Sequence, residues 1–428
     1  MPIRRAFKPA LAAGLAFGLA GLAAAPARTA SPPEPRTQMA GSLSTTLPLV
    51  VLDAGPIRRS LKHPARMRIM DHATNALQAP ANGYDGLVGI SIRGQSSALF
   101  AKKSYSIELR DGAGANRNEQ LLGMPAENDW VLYAAHNDKS LMRNVIAYAA
   151  ARRLGRWAAR TRYVELVLNG HYCGVYILME SVKLDDARVV ADKRGLGGRY
   201  LAEMTLGSQA RKKGPFFRTP IKKQAVVYDD PHRADLSNRE AAYIRRVIGG
   251  AERALYRGRR GSWPNRLHAA AAVDYVLLQE LFRNPDAFQA STFMAKGAGE
   301  RLKLGPIWDL DTAMGNSRRG TFASTSGWIS RDRAWGSRLL ADPQFRRALK
   351  LRWRTLRARG LRASLFRTLS ASVRELGPAA GRNFGRWPIL NQRVFEEPVL
   401  RGSHTAEVNA VRRWLRARVA WLDRKLGV

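Results

Sequence analysis

Apolar and polar residues alternate through the first part of the chain and recur every three to four positions through the last. Alternation with β-branched or aromatic content predicts strands at 47–52, 86–93, 103–109, 130–134, 163–168 and 174–180, with Asn169-Gly170 as a two-residue hairpin turn between the last two. Helical spacing predicts a helix over 140–154, capped by Asp138, with Leu141, Val145, Tyr148 and Ala149 near one stripe. Ser237-Asn238-Arg239-Glu240 is a capping box that opens a helix to about 255, with Ile244, Val247, Ile248, Ala251 and Leu255 on its buried side. An apolar helical run over 273–282 must stop before Pro285, which has no amide to continue it. Amphipathic helix follows over 335–359 and 405–426. Short strands are expected at 199–203 and 301–307, and loops at the basic stretches 209–213 and 257–261. The fold class is therefore α+β, with a β-rich lobe over 47–181, a mainly helical lobe over 182–428 and a cleft between them.

Composition changes little in this picture; charge changes more. Of 428 residues 45% are hydrophobic, as in an ordinary globular protein, yet 71 Lys+Arg against 34 Asp+Glu leave a net charge of +37. Arginine is scattered over the whole chain, which fits a solvated basic surface or an acidic partner such as an acidic surface or polyanion. Zinc-finger spacing, basic heptads and aromatic-glycine RNA signatures are missing, so sequence-specific nucleic-acid binding is not expected. The first residues carry Arg4, Arg5 and Lys8 ahead of a small apolar run over 9–25 and the small-x-small site Ala25-Pro26-Ala27. This is the layout of a signal peptide over 1–27, of twin-arginine type by its basic pair, followed by a disordered tether over 28–46. The run is short for a bilayer span, so a stable transmembrane segment is not expected and the product should be exported: periplasmic, envelope-bound or secreted. Cys173 is the only cysteine, which leaves no intrachain disulfide, and it reads as a small buried residue.

Two stretches carry candidate chemistry. In Gly305-Pro306-Ile307-Trp308-Asp309-Leu310-Asp311-Thr312, strand alternation would point Asp309 and Asp311 into one volume. Like charges held close require a proton or a cation between them, and with Thr312 and Asn316 as further oxygens the natural cation is magnesium. Alternatively, one Asp caps the next turn and the other pairs with an arginine. Upstream, Asp286 should begin a loop after the helix end, with Ser291 five positions on. A loop Asp, a polar residue five later, then a strand ending in an acidic pair is the order used by phosphoryl-transfer enzymes.

The segments Arg93-Gly94-Gln95-Ser96-Ser97, Lys102-Lys103-Ser104-Tyr105-Ser106-Ile107-Glu108-Leu109, Asp138-Lys139-Ser140-Leu141-Met142-Arg143-Asn144, Gly174-Val175-Tyr176-Ile177-Leu178-Met179-Glu180 and Trp308-Asp309-Leu310-Asp311 resemble the spore-coat protein H (CotH) kinase family, in the family's order, over about 47–425. The resemblance implies an atypical protein-kinase-like two-lobed fold and ATP-dependent phosphoryl transfer with Mg2+ or Mn2+, to a protein substrate in the envelope or secreted. It implies Asp286 as the group that orients the acceptor hydroxyl, and Asp309 with Asp311 and Ser291 as metal ligands. Arg93 and Ser96 would lie over the phosphates. Lys103, with Lys102 in reserve, would fix the nucleotide. The usual helix glutamate is missing between Asp138 and Leu154, so Glu180 is the candidate partner for that lysine. Ser291 stands where many kinases have Asn. A catalytically inactive kinase-like scaffold and a polyanion binder are the rival readings.

Overall fold

The computed structural model describes residues 40–59, 61–189, 198–259 and 261–428. The expected export signal, most of the expected tether and Arg260 of the basic connection lie outside them. Residues 40–46, assigned to the tether, are packed: Ala40 is buried, its amide donates to Gly170 O (3.1 Å), and Ser44–Thr45 pairs with Asn75–Ala76.

Seven strands close a barrel: β1 (Leu49–Ala54), β2 (His63–Met70), β3 (Tyr84–Arg93), β4 (Ser104–Arg110), β5 (Asp129–Tyr133), β6 (Thr161–Leu168) and β7 (His171–Glu180). The order around it is β6-β7-β5-β4-β3-β2-β1, antiparallel throughout except where β1 meets β6 in parallel, Leu49 opposite Glu165. Period-2 alternation explains the closure. Val88 and Ile90, Ile107 and Leu109, Trp130 and Leu132, and Leu166 and Leu178 all fill the interior. Their sequence neighbours face outward, Val131, Val175, Ile177 and Met179 among them, and join a second core shared with the helices. β2 has the same pattern, Ala65, Met67 and Ile69 inward against Arg66 and Arg68, but was missing from the strands expected from sequence.

The second half also contains a sheet, ordered β9-β10-β8-β11-β12, of β8 (Tyr200–Thr205), β9 (Phe216–Arg218), β10 (Ala225–Asp230), β11 (Thr292–Lys296) and β12 (Lys303–Leu304). Around it pack α1 (Arg143–Arg153), α2 (Gly207–Lys213), α3 (Asn238–Arg257), α4 (Ala269–Phe282), α5 (Ala334–Ala341), α6 (Pro343–Ala358), α7 (Leu361–Arg386) and α8 (His404–Leu426). The chain is therefore mixed α/β, with a barrel and a five-stranded sheet. Beside the barrel's own interior core, a second core joins the outer face of β5–β7 to the helices. The basic stretch 209–213 is helix, not loop. The Ser237 capping box forms as read, with both reciprocal bonds. Asp138 acts as a cap from a distance: the N-cap residue of α1 is Met142, while the Asp138 carboxylate accepts from Arg143 N (2.8 Å). α7 breaks at Gly377-Pro378, where Gly377 leaves helical geometry (φ 41°).

Candidate functional site

A cavity of about 990 Å³ lies between the outward face of the barrel and the second sheet. One wall comes from Ser104 and Ser106 of β4, Val131 and Tyr133 of β5 and Met179 of β7; the other from Glu203 of β8, Asp229 of β10 and Phe293 of β11. Asp and Glu outnumber Lys and Arg along this lining, the reverse of the chain as a whole. Cations are thus the species the cavity attracts, and an anionic nucleotide would enter it best with its charge shared by metal ions.

Three carboxylates reach this cavity on two loops. α4 stops at Phe282 because Arg283 turns into the left-handed region (φ 47°) and Pro285 follows. Asn284 Oδ1 accepts from Asp286 N (3.1 Å), and Asp286 O accepts from Gln289 N and Ala290 N (2.9 Å each), which pins the loop. The second loop is not a strand: β12 ends at Leu304 and Asp309 has φ 52°. Alternation therefore cannot be what directs Asp309 and Asp311 to one place. Buried side chains of α1 do it instead. Asn144 Oδ1 accepts from Leu310 N (2.8 Å), Arg143 Nε donates to Ala313 O (3.1 Å), and Asn316 Nδ2 closes the turn on Asp311 O (2.8 Å). Arg143 is itself held by Asp138 at 2.5 Å with both side chains buried.

Asp309 accepts from Ser291 Oγ (2.9 Å), and Asp311 accepts from Asn137 Nδ2 (2.8 Å) and Tyr133 OH (3.3 Å). Burial pushes both carboxyls up, Asp311 to about 6 through burial and then the neighbouring Asp309 charge; Arg93 pulls Asp309 partly back. Asp286 is raised by burial as well, opposed chiefly by Arg319, whose Nη2 lies 3.4 Å from its Oδ1. Arg319 Nε also donates to Glu396 at 2.6 Å. Acids that resist ionisation at close quarters are poised to take a cation. Thr312 Oγ1 lines the same cavity, is buried and has no hydrogen-bond partner. This all-oxygen set of Asp309, Asp311, Ser291 and Thr312 fits a hard divalent ion that keeps waters and substrate phosphates as its other ligands. Among the described residues no group of three or more His, Cys, Asp or Glu is arranged as a self-sufficient metal cage.

Arg93 and Ser96 both line the cavity, the former with its guanidinium over Trp308 (5.6 Å to the ring centre). Their turn needs Gly94 (φ 100°), since a Cβ there would fall 2.0 Å from Ser97 Oγ. Neither of the two expected lysines lines the cavity. Lys103 lies in register with the barrel-interior residues Tyr105 and Ile107, and its Nζ donates to Ala98 O (3.0 Å). Lys102 is buried outside the cavity, donating to Val175 O (2.5 Å) and Asn383 Oδ1 (2.8 Å). Glu180 is not their partner: it accepts from Arg160 N and Nη1, both 2.7 Å, at the far end of β7. The lysines that do line the cavity are Lys62, Lys183 and Lys213. Lys62 Nζ is 3.6 Å from Glu108 and 3.8 Å from Asp129, and burial lowers its pKa. It went unnoticed because β2, which it precedes, was missed. Glu108 has the opposite parity to Ile107, so alternation along β4 already pointed outward to it.

The sequence matches the family model described as CotH kinase protein over residues 90–422. The chain belongs to the CotH kinase family. No curated protein matches it in sequence. Among solved structures it is similar to the crystal structure of a Helicobacter pylori proinflammatory kinase CtkA, at 8% identity and a TM-score of 0.28, covering 75% of this chain and 94% of that one. No helix among the described residues is long and apolar enough to cross a membrane.

Proposed function

We propose that this protein is an exported kinase that transfers the γ-phosphoryl group of ATP to a Ser or Thr hydroxyl of an extracytoplasmic protein, with Mg2+ or Mn2+. What carries the reading is the convergence of Asp286, Asp309 and Asp311 from two loops on one cavity, in a member of a kinase family. Asp286 orients the acceptor hydroxyl and receives its proton as the new oxygen–phosphorus bond forms and the bond to ADP breaks. Arg319, already beside Asp286, balances charge as that proton moves. Asp309 and Asp311, helped by Ser291 and Thr312, would hold a divalent ion, which would neutralise phosphate charge. Arg93 and the Ser96 turn steady the phosphates, and Lys62 with Glu108 takes the nucleotide-fixing role that Lys103 and Glu180 cannot reach. The basic amino-terminal segment of the sequence supports export, and membership of a kinase family supports a protein acceptor.

The test is incorporation of labelled phosphate from ATP into a panel of exported proteins by the purified chain with magnesium or manganese. Asp286→Asn and Asp309→Asn should each lower incorporation by at least about a hundredfold, in line with loss of a positioned base or metal ligand. Incorporation by either variant at the wild-type rate would reject the assignment. A kinase-shaped scaffold without turnover would instead show no labelling and no rise in melting temperature with magnesium and ATP.

A further inference from the structure

The positive charge of the chain is not balanced alike over its surface. In the first half, exposed cations meet carboxylates, Arg66 with Asp85 at 2.8 Å and Arg117 with Glu119 at 2.6 Å. The large cavity is lined mainly by acids. From residue 343 to residue 374, through α6 and the first half of α7, the sequence has ten Lys and Arg and no Asp or Glu.

α6 sorts these cations by side. Phe345, Leu349, Trp353 and Leu356 are buried against the core. The two cations nearest that side are paired, Arg352 with Asp274 and Arg357 with Asp423, at 2.7 Å each. The opposite side carries Arg346, Arg347, Lys350 and Arg354, all exposed, at the three- and four-residue spacing that keeps side chains together on a helix. They make a row along about 12 Å of the axis. Among the described residues no carboxylate pairs with any of the four. Arg346 Nη1 donates to the carbonyls of Leu340 and Ala341 (2.9 Å each) and Arg354 Nε to Gly427 O (2.9 Å), which leaves their charge uncompensated. Leu351, next to Lys350 and within the same arc, is 65% exposed.

We propose that this side of α6 docks the protein on an anionic phospholipid surface, with the four cations among the headgroups and Leu351 in the outermost acyl region. A plane of negative charge meets the whole row at once, and each cation at such a surface is worth about fivefold in partitioning. The long stems of Arg and Lys let the charged ends reach sideways to phosphates while an apolar neighbour is covered. A flexible polyanion is tracked in a basic groove, whereas the outer side of a helix is convex. Leu351 gains nothing from a hydrophilic polymer but loses water contact in a bilayer. α6 itself stays in the fold, because its apolar side is already used.

The test is co-sedimentation with vesicles of equal parts phosphatidylglycerol and phosphatidylcholine, against phosphatidylcholine alone. The chain from residue 28 onward is used, which keeps every described residue and drops the amino-terminal apolar run. In about 0.15 M salt, where charges beyond about 8 Å are screened, the mixed vesicles should be preferred at least about a hundredfold. Arg347→Gln with Lys350→Gln, which keeps helix propensity, should weaken that binding at least about tenfold. Arg58→Gln with Arg117→Gln removes the same charge from segments whose backbones bond to β3 and β4, and should change it by less than about threefold. Leu351→Ser should weaken vesicle binding about threefold and leave binding of inorganic polyphosphate unchanged. All these positions are exposed, so circular dichroism and melting temperature should stay at wild-type values. Equal binding to the two kinds of vesicle overturns the proposal, as do equal losses from the two Gln pairs. Vesicle binding untouched by Leu351→Ser, with polyphosphate binding cut by the α6 pair, would make this a polyanion face and overturn it too. None of these readouts depends on kinase activity.

Discussion

Replacing Asp311 by Asn tests the electrostatics of the acidic loop without any assumption about substrate. Asp311 is held with a pKa of about 6 against an ordinary 3.8, by burial and by Asp309. An acid whose folded pKa is raised binds a proton in the folded state that the unfolded chain has released. Stability contributed this way is present below the unfolded value and is lost as pH rises from about 4 to about 6, at 1.36 kcal/mol per unit. The total is about 3 kcal/mol for this one group. The amide of Asp311→Asn has no such titration, so the wild-type chain should lose about 3 kcal/mol more than the variant between about pH 4 and about pH 7. The variant keeps one acceptor at the Oδ2 position for Asn137 and Tyr133 but must re-pair Thr312 N, which costs it about 1 kcal/mol at every pH. The net expectation in the absence of divalent ions is a variant less stable than wild type at about pH 4 and more stable, by about 2 kcal/mol, at about pH 7. Urea unfolding at half-unit pH intervals in chelator measures both curves. Parallel curves for the two proteins would refute the claim that Asp311 is forced toward its neutral form. Adding magnesium at neutral pH should stabilise the wild type and leave the variant nearly unmoved, because the ion selects the ionised pair.

Other expectations are equally direct. Glu280 and Arg418 form an ion pair with neither side chain exposed, and Glu280 also accepts from Ile329 N and Ser330 N, so Glu280→Ala should cost about 3–5 kcal/mol in chemical denaturation. Asn144→Ala, which frees Leu310 N from its anchor, should cost about 1–3 kcal/mol and lower kcat in the labelling assay more than it raises KM for ATP. Lys62→Ala should raise KM for ATP at least about tenfold, while Lys103→Ala leaves it within about twofold. The reverse ranking in steady-state kinetics would return the nucleotide-fixing role to Lys103.

Much of the architecture was legible because local pattern and tertiary environment agreed. Tyr105, Ile107 and Leu109 alternate cleanly because one face of β4 is the barrel interior, and the Ser237 capping box closes entirely within four residues. The second sheet was only partly legible: strands were expected at 199–203 and 301–307, where β8 and the two-residue β12 lie, while β9, three residues long, is too short to show a period. The acidic residues were found, but by an argument about strand parity that does not hold where Asp309 takes a left-handed backbone. Their true supports, Asn144 and Arg143, lie more than 160 positions away, a distance at which spacing carries no information. That Lys102 and Glu180 lie off the cavity was hidden for the same reason. Each looked available in sequence, and each is taken by a partner, Asn383 and Arg160, that only the folded chain brings near.

The parallel seam between Leu49–Leu52 and Glu165–Leu168 sets a rule for how the molecule can be assembled and cut. The first staves of the barrel are made early in synthesis, but the last one needed to seal them lies more than a hundred residues further along. Until β6 and β7 have both arrived, two unpaired strand edges stand open to any neighbour, so nascent or clipped chains ending before about residue 180 should clump rather than fold, and ring closure should be the slow event in refolding.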